Sequence, residues 1–169
     1  GFYTATGGNM LSMPFNSSTP ILYYNKDVFA KAGLDAETAP KTWGDVEAFS
    51  KKIMESGAAP CGFTTGWISW VQLENFSAWH NQPIGTLENG FGGLDTELTV
   101  NGPAQGKHWE NLAKWQKDGT FQYGGPGGGA DSAPKFYAQE CATYMNSSAS
   151  RAGVIANAKD FEVGYGMLP

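Results

Sequence analysis

Cys61-Gly62-Phe63-Thr64-Thr65-Gly66-Trp67-Ile68-Ser69-Trp70-Val71-Gln72-Leu73-Glu74-Asn75-Phe76-Ser77-Ala78-Trp79 reads as a short apolar strand, a glycine turn, and a helix opening at Trp70. That order is how an α/β protein offers residues at the carboxyl edge of its sheet, where ligands bind. Trp67 and Trp70 stand at i and i+3, on one side of the first helical turn. Indoles are large and stiff and carry one N–H donor each, which suits the wall of a small-polyol site. Taken alone, such a pair reads rather as core aromatics, and the rest of the chain shifts that balance.

Outward from this stretch the chain keeps alternating. Upstream, Pro20 biases Thr19 to an extended conformation. Ile21-Leu22-Tyr23-Tyr24 then reads as a strand. Asn25 is placed to cap a helix over Lys26 to Ala32, with Gly33 as its stop. Thr42-Trp43-Gly44-Asp45 fits a capping box, with Asp where Glu is usual. Trp43, Val46, Phe49 and Ile53 follow at helical spacing up to Gly57.

Downstream, residues 81–101 read as an irregular glycine-rich excursion with a short strand at Leu98-Thr99-Val100. Pro103 opens a helix to Lys117, with a short apolar stripe of Trp109, Leu112 and Ala113. Gly124-Gly125-Pro126-Gly127-Gly128-Gly129 tempts a phosphate-loop reading. No Lys-Ser or Lys-Thr follows it, so a floppy surface loop is expected instead. Asp131 is placed to cap a short helix through Phe136 and Tyr137. A strand from Cys141, a helix from Arg151 to Ala158 and a last strand from Phe161 to Met167 complete the pattern. Alternating strands and helices without hairpin signals give an α/β domain with a central sheet flanked by helices.

At 169 residues the chain is long enough for one domain with a real core. Apolar residues make up 41% and charged residues only 16%, which argues against disorder. A net charge of −5 argues against nucleic acid or an anionic membrane as partner. It leaves room for an anionic small ligand in a locally positive pocket. No run of the sequence is long and apolar enough to span a bilayer. Gly1-Phe2-Tyr3 reads as the interior of a longer chain.

Cys61 and Cys141 each open a strand-like run. A disulfide would need those strands to be neighbours; two separate buried thiols fit the sequence as well. Neither His80 nor His108 stands at ligand spacing from a cysteine, so no metal site is expected. No cofactor is called for either.

Three strand ends share a polar character. Ser17-Ser18-Thr19 precedes a strand, Gly66-Trp67 follows one, and Asn146-Ser147-Ser148 follows another. Small hydroxyls beside free N–H groups suit an anion or a polyol, although ordinary capping also explains them. Catalytic readings are weaker. No Gly-x-Ser-x-Gly elbow occurs, and both histidines fall on expected helices as surface residues. Glu74 lacks a placeable second carboxylate, since Glu88, Asp95 and Glu97 sit in the irregular excursion. The chain is not expected to be an enzyme.

Phe15-Asn16-Ser17-Ser18-Thr19-Pro20-Ile21-Leu22-Tyr23-Tyr24-Asn25-Lys26-Asp27, then Ala32-Gly33-Leu34 and Pro40-Lys41-Thr42-Trp43, resembles the middle of the periplasmic solute-binding proteins of ABC importers. Gly66 to Trp79, Lys135-Phe136-Tyr137 with Cys141-Ala142, and Ser147-Ser148-Ala149-Ser150 are similar to the sn-glycerol-3-phosphate-binding branch of that family. The resemblance runs over roughly residues 10 to 169.

It implies a type II-like, two-lobed fold with the ligand in a cleft between lobes. Residues 1–14 would be an incoming inter-lobe segment. Residues 15–169 would be the second lobe, without the first lobe and the C-terminal helices. The branch's two ligand-contacting tryptophans and two serines on this lobe match Trp67, Trp70, Ser18 and Ser147. The implied ligand is glycerol-3-phosphate or a glycerophosphodiester, with a neutral sugar as the alternative. The implied partners are the membrane subunits of an importer, and the implied state is a monomer in the periplasm, or lipid-anchored at the cell surface.

Overall fold

The computed structural model describes residues 3–5 and 7–169. Among the described residues, five strands form one sheet: β1 (Pro20–Asn25), β2 (Cys61–Thr65), β3 (Phe121–Tyr123), β4 (Cys141–Ser147) and β5 (Val163–Gly166). Their order is β3-β2-β4-β1-β5. β2 runs parallel to β3 and β4, whereas β1 runs antiparallel to β4 and β5. The sheet is therefore mixed.

The register decides where the site falls. Pro20 pairs with Ser147, and Thr65 pairs with Met145. The start of β1 thus lies beside the carboxyl ends of β4 and β2. Three polar stretches far apart in sequence meet at one sheet edge because of this reversal.

Both faces of the sheet are covered, and alternation along β1 shows it. Leu22 and Tyr24 point to one side and Tyr23 to the other, as the two-residue period of a strand requires, and all three are buried. The first face carries the helices Lys26–Lys31, Trp43–Glu55 and Pro103–Asp118. Its core includes Leu22, Phe29, Ile53, Phe63, Leu112, Trp115 and Met145. The second face carries Ala133–Tyr137 and Arg151–Asn157. There Tyr23, Phe136, Tyr144 and Val154 pack together.

The local signals behave as written in several places. The Asn25 side chain accepts the Val28 N–H at 2.9 Å. The Thr42 hydroxyl accepts the Asp45 N–H at 3.0 Å while the Asp45 carboxylate accepts the Thr42 N–H at 2.9 Å. The capping box is therefore complete with Asp in the third position.

Other expectations are corrected. In the helix Pro103–Asp118, Leu112 is buried and Trp109 packs partly buried against the core as expected, but Ala113 is exposed and the buried face continues through Gln105, His108 and Trp115. That face is rotated from the expected one because two polar residues on it find partners inside. His108 is thus a core residue, whereas His80 is exposed as expected. Leu98 forms only an isolated bridge with Gly85, not a strand. The helix at Ala133 has Ser132 as its N-cap, with no side-chain cap from Asp131.

Cys61 and Cys141 stand opposite one another in the β2–β4 register with Cα atoms 4.4 Å apart, and they are disulfide-bonded. The bridge closes a separation of 80 residues and ties the two central parallel strands together. Within the expected incoming segment 1–14, Gly1, Phe2 and Thr6 lie outside the described residues. Thr4 bridges Met10, and the large side chains of Met10, Leu11 and Met13, like that of Phe15 just beyond, are exposed. No helix among the described residues is long and apolar enough to cross a membrane.

Candidate functional site

Ser18, Trp67, Trp70 and Ser147 line a single open groove of about 500 Å³, together with Ala149 and Ser150. The structure thus brings all four sequence-nominated residues together at the sheet edge. A second hollow of about 510 Å³ is lined by residues including Lys41, Trp79 and Met167. Size therefore does not single out the site; the paired indoles and hydroxyls do.

The indoles are held in different ways. Trp70 is half-buried against the core of the first face. Trp67 is 51% exposed. Its backbone is left-handed, at φ 45°, which is rare for a residue with a bulky side chain and costs about 1–3 kcal/mol. Such backbone strain gathers where a side chain must be aimed rather than merely buried. The Trp67 N–H donates to Gly127 O at 3.1 Å, and its carbonyl accepts the Val71 N–H at 2.8 Å.

The helix expected from Trp70 begins instead as a π-helical turn, Trp70–Asn75, which continues into Phe76–Trp79. Widened turns of this kind occur often at functional sites. The wider turn frees carbonyls, and Asn75 Nδ2 donates to Trp70 O at 2.8 Å. Gln72 anchors the turn from inside. Its amide nitrogen donates to Thr65 Oγ1 at 3.2 Å and to the Met145 sulfur at 3.4 Å. Its amide oxygen faces His108 Nε2 at 3.0 Å.

His108 stacks on Phe76, with centroids 4.0 Å apart, and lies 4.4 Å from Trp43. Burial first, and the nearby His80 second, push its pKa down to about 4. The ring is therefore neutral at pH 7, and its Nε2–H donates to Gln72.

The serines line the same groove. Ser147 is mostly buried; its Oγ accepts the Ala149 N–H at 3.1 Å. The capping role is real, and it leaves the hydroxyl proton free to donate outward. The Ser147 carbonyl accepts the Tyr23 hydroxyl at 2.8 Å. Ser18 is exposed. Its neighbour Thr19 exchanges bonds with Ser148: Thr19 N–H to Ser148 Oγ at 3.3 Å, and Ser148 N–H to Thr19 O at 2.7 Å. These bonds hold the two serine segments side by side.

Among the described residues, no carboxylate or cationic side chain lines the groove. Glu74, Glu88, Asp95 and Glu97 are exposed and lie outside it. What the wall offers is two aromatic surfaces, small hydroxyls and backbone groups, which can hold a polyol or its phosphate ester.

Sequence reasoning missed the third component. The glycine run, expected to be a floppy surface loop, lies against the strand ends. Besides the Gly127–Trp67 bond, Gly128 O accepts Asn146 Nδ2 at 2.9 Å. In the sequence Asn146 stands out only as part of a polar strand end. The one signal available was its place directly before Ser147.

The full length of the chain, residues 1–169, matches the family described as bacterial extracellular solute-binding protein. An sn-glycerol-3-phosphate-binding periplasmic protein UgpB of Brucella abortus is 48% identical over 168 residues, which is 99% of this chain and 38% of the relative. One from Yersinia pestis is 48% identical over 170 residues, again 38% of its length. The chain thus spans under two fifths of the curated relatives it matches. Among solved structures, UgpB from Mycobacterium tuberculosis in complex with glycerophosphocholine superposes with a TM-score of 0.73 at 24% identity, over 99% of this chain and 41% of that one. The cyclic α-maltosyl-1,6-maltose binding protein of Arthrobacter globiformis gives the same TM-score at 22% identity and the same coverage. These likenesses show a periplasmic-binding-protein fold.

Proposed function

Since this chain belongs to the family of bacterial extracellular solute-binding proteins, we propose that it is the second lobe of an ABC importer's binding protein. That protein captures sn-glycerol-3-phosphate or a glycerophosphodiester between two lobes and delivers it to membrane subunits. Residues 1–14 form the inter-lobe segment and 15–169 the lobe. The full protein works as a monomer in the periplasm or anchored at the cell surface.

The observation that carries this reading is the convergence of Ser18, Trp67, Trp70 and Ser147 on one groove. The indoles pack against the glycerol carbons, where their faces replace water along the apolar edge of the ligand. The serine hydroxyls donate to hydroxyl or phosphate oxygens; bonds to an anion are the stronger kind. Among the described residues none that lines the groove carries a formal charge, so the opposing lobe supplies the cation for the phosphate. A ligand that binds the closed arrangement better than the open one drives closure.

Backbone likeness does not choose the ligand, because the maltoside binder and the glycerophosphocholine binder superpose equally well. The 48% identity to glycerol-3-phosphate binders favours the phosphate ester over a neutral sugar. With one wall of the cleft, the 169-residue stretch alone binds at about millimolar or weaker, near −4 kcal/mol.

Tryptophan-fluorescence titration of the full-length protein with sn-glycerol-3-phosphate, glycerophosphocholine and maltose tests the reading. Saturable changes are expected with the phosphate esters and are lost in Trp67→Ala and Trp70→Ala. Saturation by maltose alone would replace the ligand class. Binding without turnover is expected; hydrolysis of glycerophosphocholine that disappears in Glu74→Gln would make the protein an enzyme.

A further inference from the structure

The glycine run packs against Trp67, the indole whose backbone the fold strains most. A Cβ added at Gly128 would overlap Cζ2 and Cε2 of Trp67 and lie 2.8 Å from its Nε1. Gly128 therefore rests directly on one edge of the indole, at a distance only a glycine permits. On the other side of the contact, a Cβ at Gly66 would fall 2.6 Å from Gly128 O and 2.8 Å from Asn146 Nδ2. Gly66, Gly128 and Asn146 thus form a closely packed knot immediately before Trp67.

Asn146 is buried, 1% exposed, and every polar atom of its side chain is used. Nδ2 donates to Gly128 O at 2.9 Å and also contacts the Tyr144 hydroxyl. Oδ1 accepts the N–H of Ser147 at 2.6 Å. One amide therefore joins the loop that covers Trp67 to the strand end that presents Ser147. Gly127 behaves differently: its carbonyl holds the Trp67 N–H, but its own Cα faces open space.

We infer that Gly128 and Asn146 are positioning residues that fix the Trp67 indole in the groove. They act through Trp67 and Ser147 rather than by touching ligand. The loop packs against one side of the indole, and the ring lines the groove together with Trp70 and the serines. A fixed indole loses little freedom when ligand arrives, which raises affinity without a new contact. Only this last step rests on the ligand reading above.

The test uses the full-length protein labelled with 5-fluorotryptophan, with the Trp67 signal assigned by its loss in Trp67→Phe. Gly128→Ala and Asn146→Asp are expected to move the Trp67 fluorine resonance while those of Trp43, Trp109 and Trp115 stay in place. Gly127→Ala, the same substitution in open space, leaves all of them where they are. Calorimetric affinity for sn-glycerol-3-phosphate is expected to fall about fivefold or more in the first two variants and to hold in the third. If Gly128→Ala does not fold, Asn146→Asp, which adds no volume, decides on the same resonance. An unmoved Trp67 signal, or an equal shift in Gly127→Ala, would overturn the inference. If the unsubstituted protein binds no glycerol phosphate, the ligand reading fails by itself and the fluorine spectra still decide the positioning.

Discussion

The helix Trp43–Glu55 and the turn from Gly66 to Asn75 pack on the same sheet, yet they obey different rules. The helix is capped at its start by reciprocal Thr42–Asp45 bonds and buries Val46, Ser50 and Ile53 on one face. Each local preference agrees with its final place. The turn has a tryptophan at φ 45°, a π-helical widening, and an amide buried in its middle. Its conformation is imposed by Gly127, Gly128, Asn146 and His108, which come from elsewhere in the chain. Consistent segments hold the fold together, and the segment that breaks local rules aims side chains at the groove.

That contrast predicts a gap between stability and binding, largest in the core. Trp115→Ala removes a side chain only 2% exposed and should cost about 3–5 kcal/mol, measured by denaturant unfolding. A loss under about 1 kcal/mol would mean that the first-face core is less consolidated than its packing indicates.

Acid should strike next, through His108. Its pKa near 4 lies below the ordinary value of about 6.5, so between these values the unfolded chain binds a proton that the folded chain refuses. Stability is therefore full above pH 6.5 and falls as pH drops toward 4, by up to about 3 kcal/mol. His108→Gln should flatten that slope in unfolding curves taken across the window. An unchanged slope would place the acid sensitivity elsewhere.

A smaller effect is expected at the rule-abiding end. Thr42→Ala removes the acceptor of the Asp45 N–H and should cost about 1 kcal/mol, with ligand affinity unchanged. Smallest in stability is Trp67→Gly. Glycine accepts the left-handed backbone without strain, so unfolding free energy should stay within about 1 kcal/mol while affinity collapses.

Much of this division was legible beforehand. Asn25, Thr42-Asp45 and Gly33 could be read because capping depends on neighbours a few residues apart. Trp67, Trp70, Ser18 and Ser147 could be nominated from strand ends and from a family resemblance. The buried stripe of Pro103–Asp118 was only partly legible because Gln105 and His108 look like surface residues until their distant partners are placed, Ser77 and Pro83 for Gln105 and Gln72 for His108. The glycine run was misread for a related reason. Glycines signal freedom locally, whereas here they permit close approach to Trp67 and Asn146, a need visible only once the strands are assembled. The antiparallel insertion of β1 beside β4 had no local signal, since no hairpin precedes it.

Calorimetric titration of sn-glycerol-3-phosphate into the full-length protein and its Trp67→Gly variant, with melting temperatures taken on the same samples, tests the division most directly. Affinity falling about tenfold or more with a melting point shifted by only about 4 °C or less is the expected result. Unchanged affinity, or affinity and melting point falling together, would contradict it.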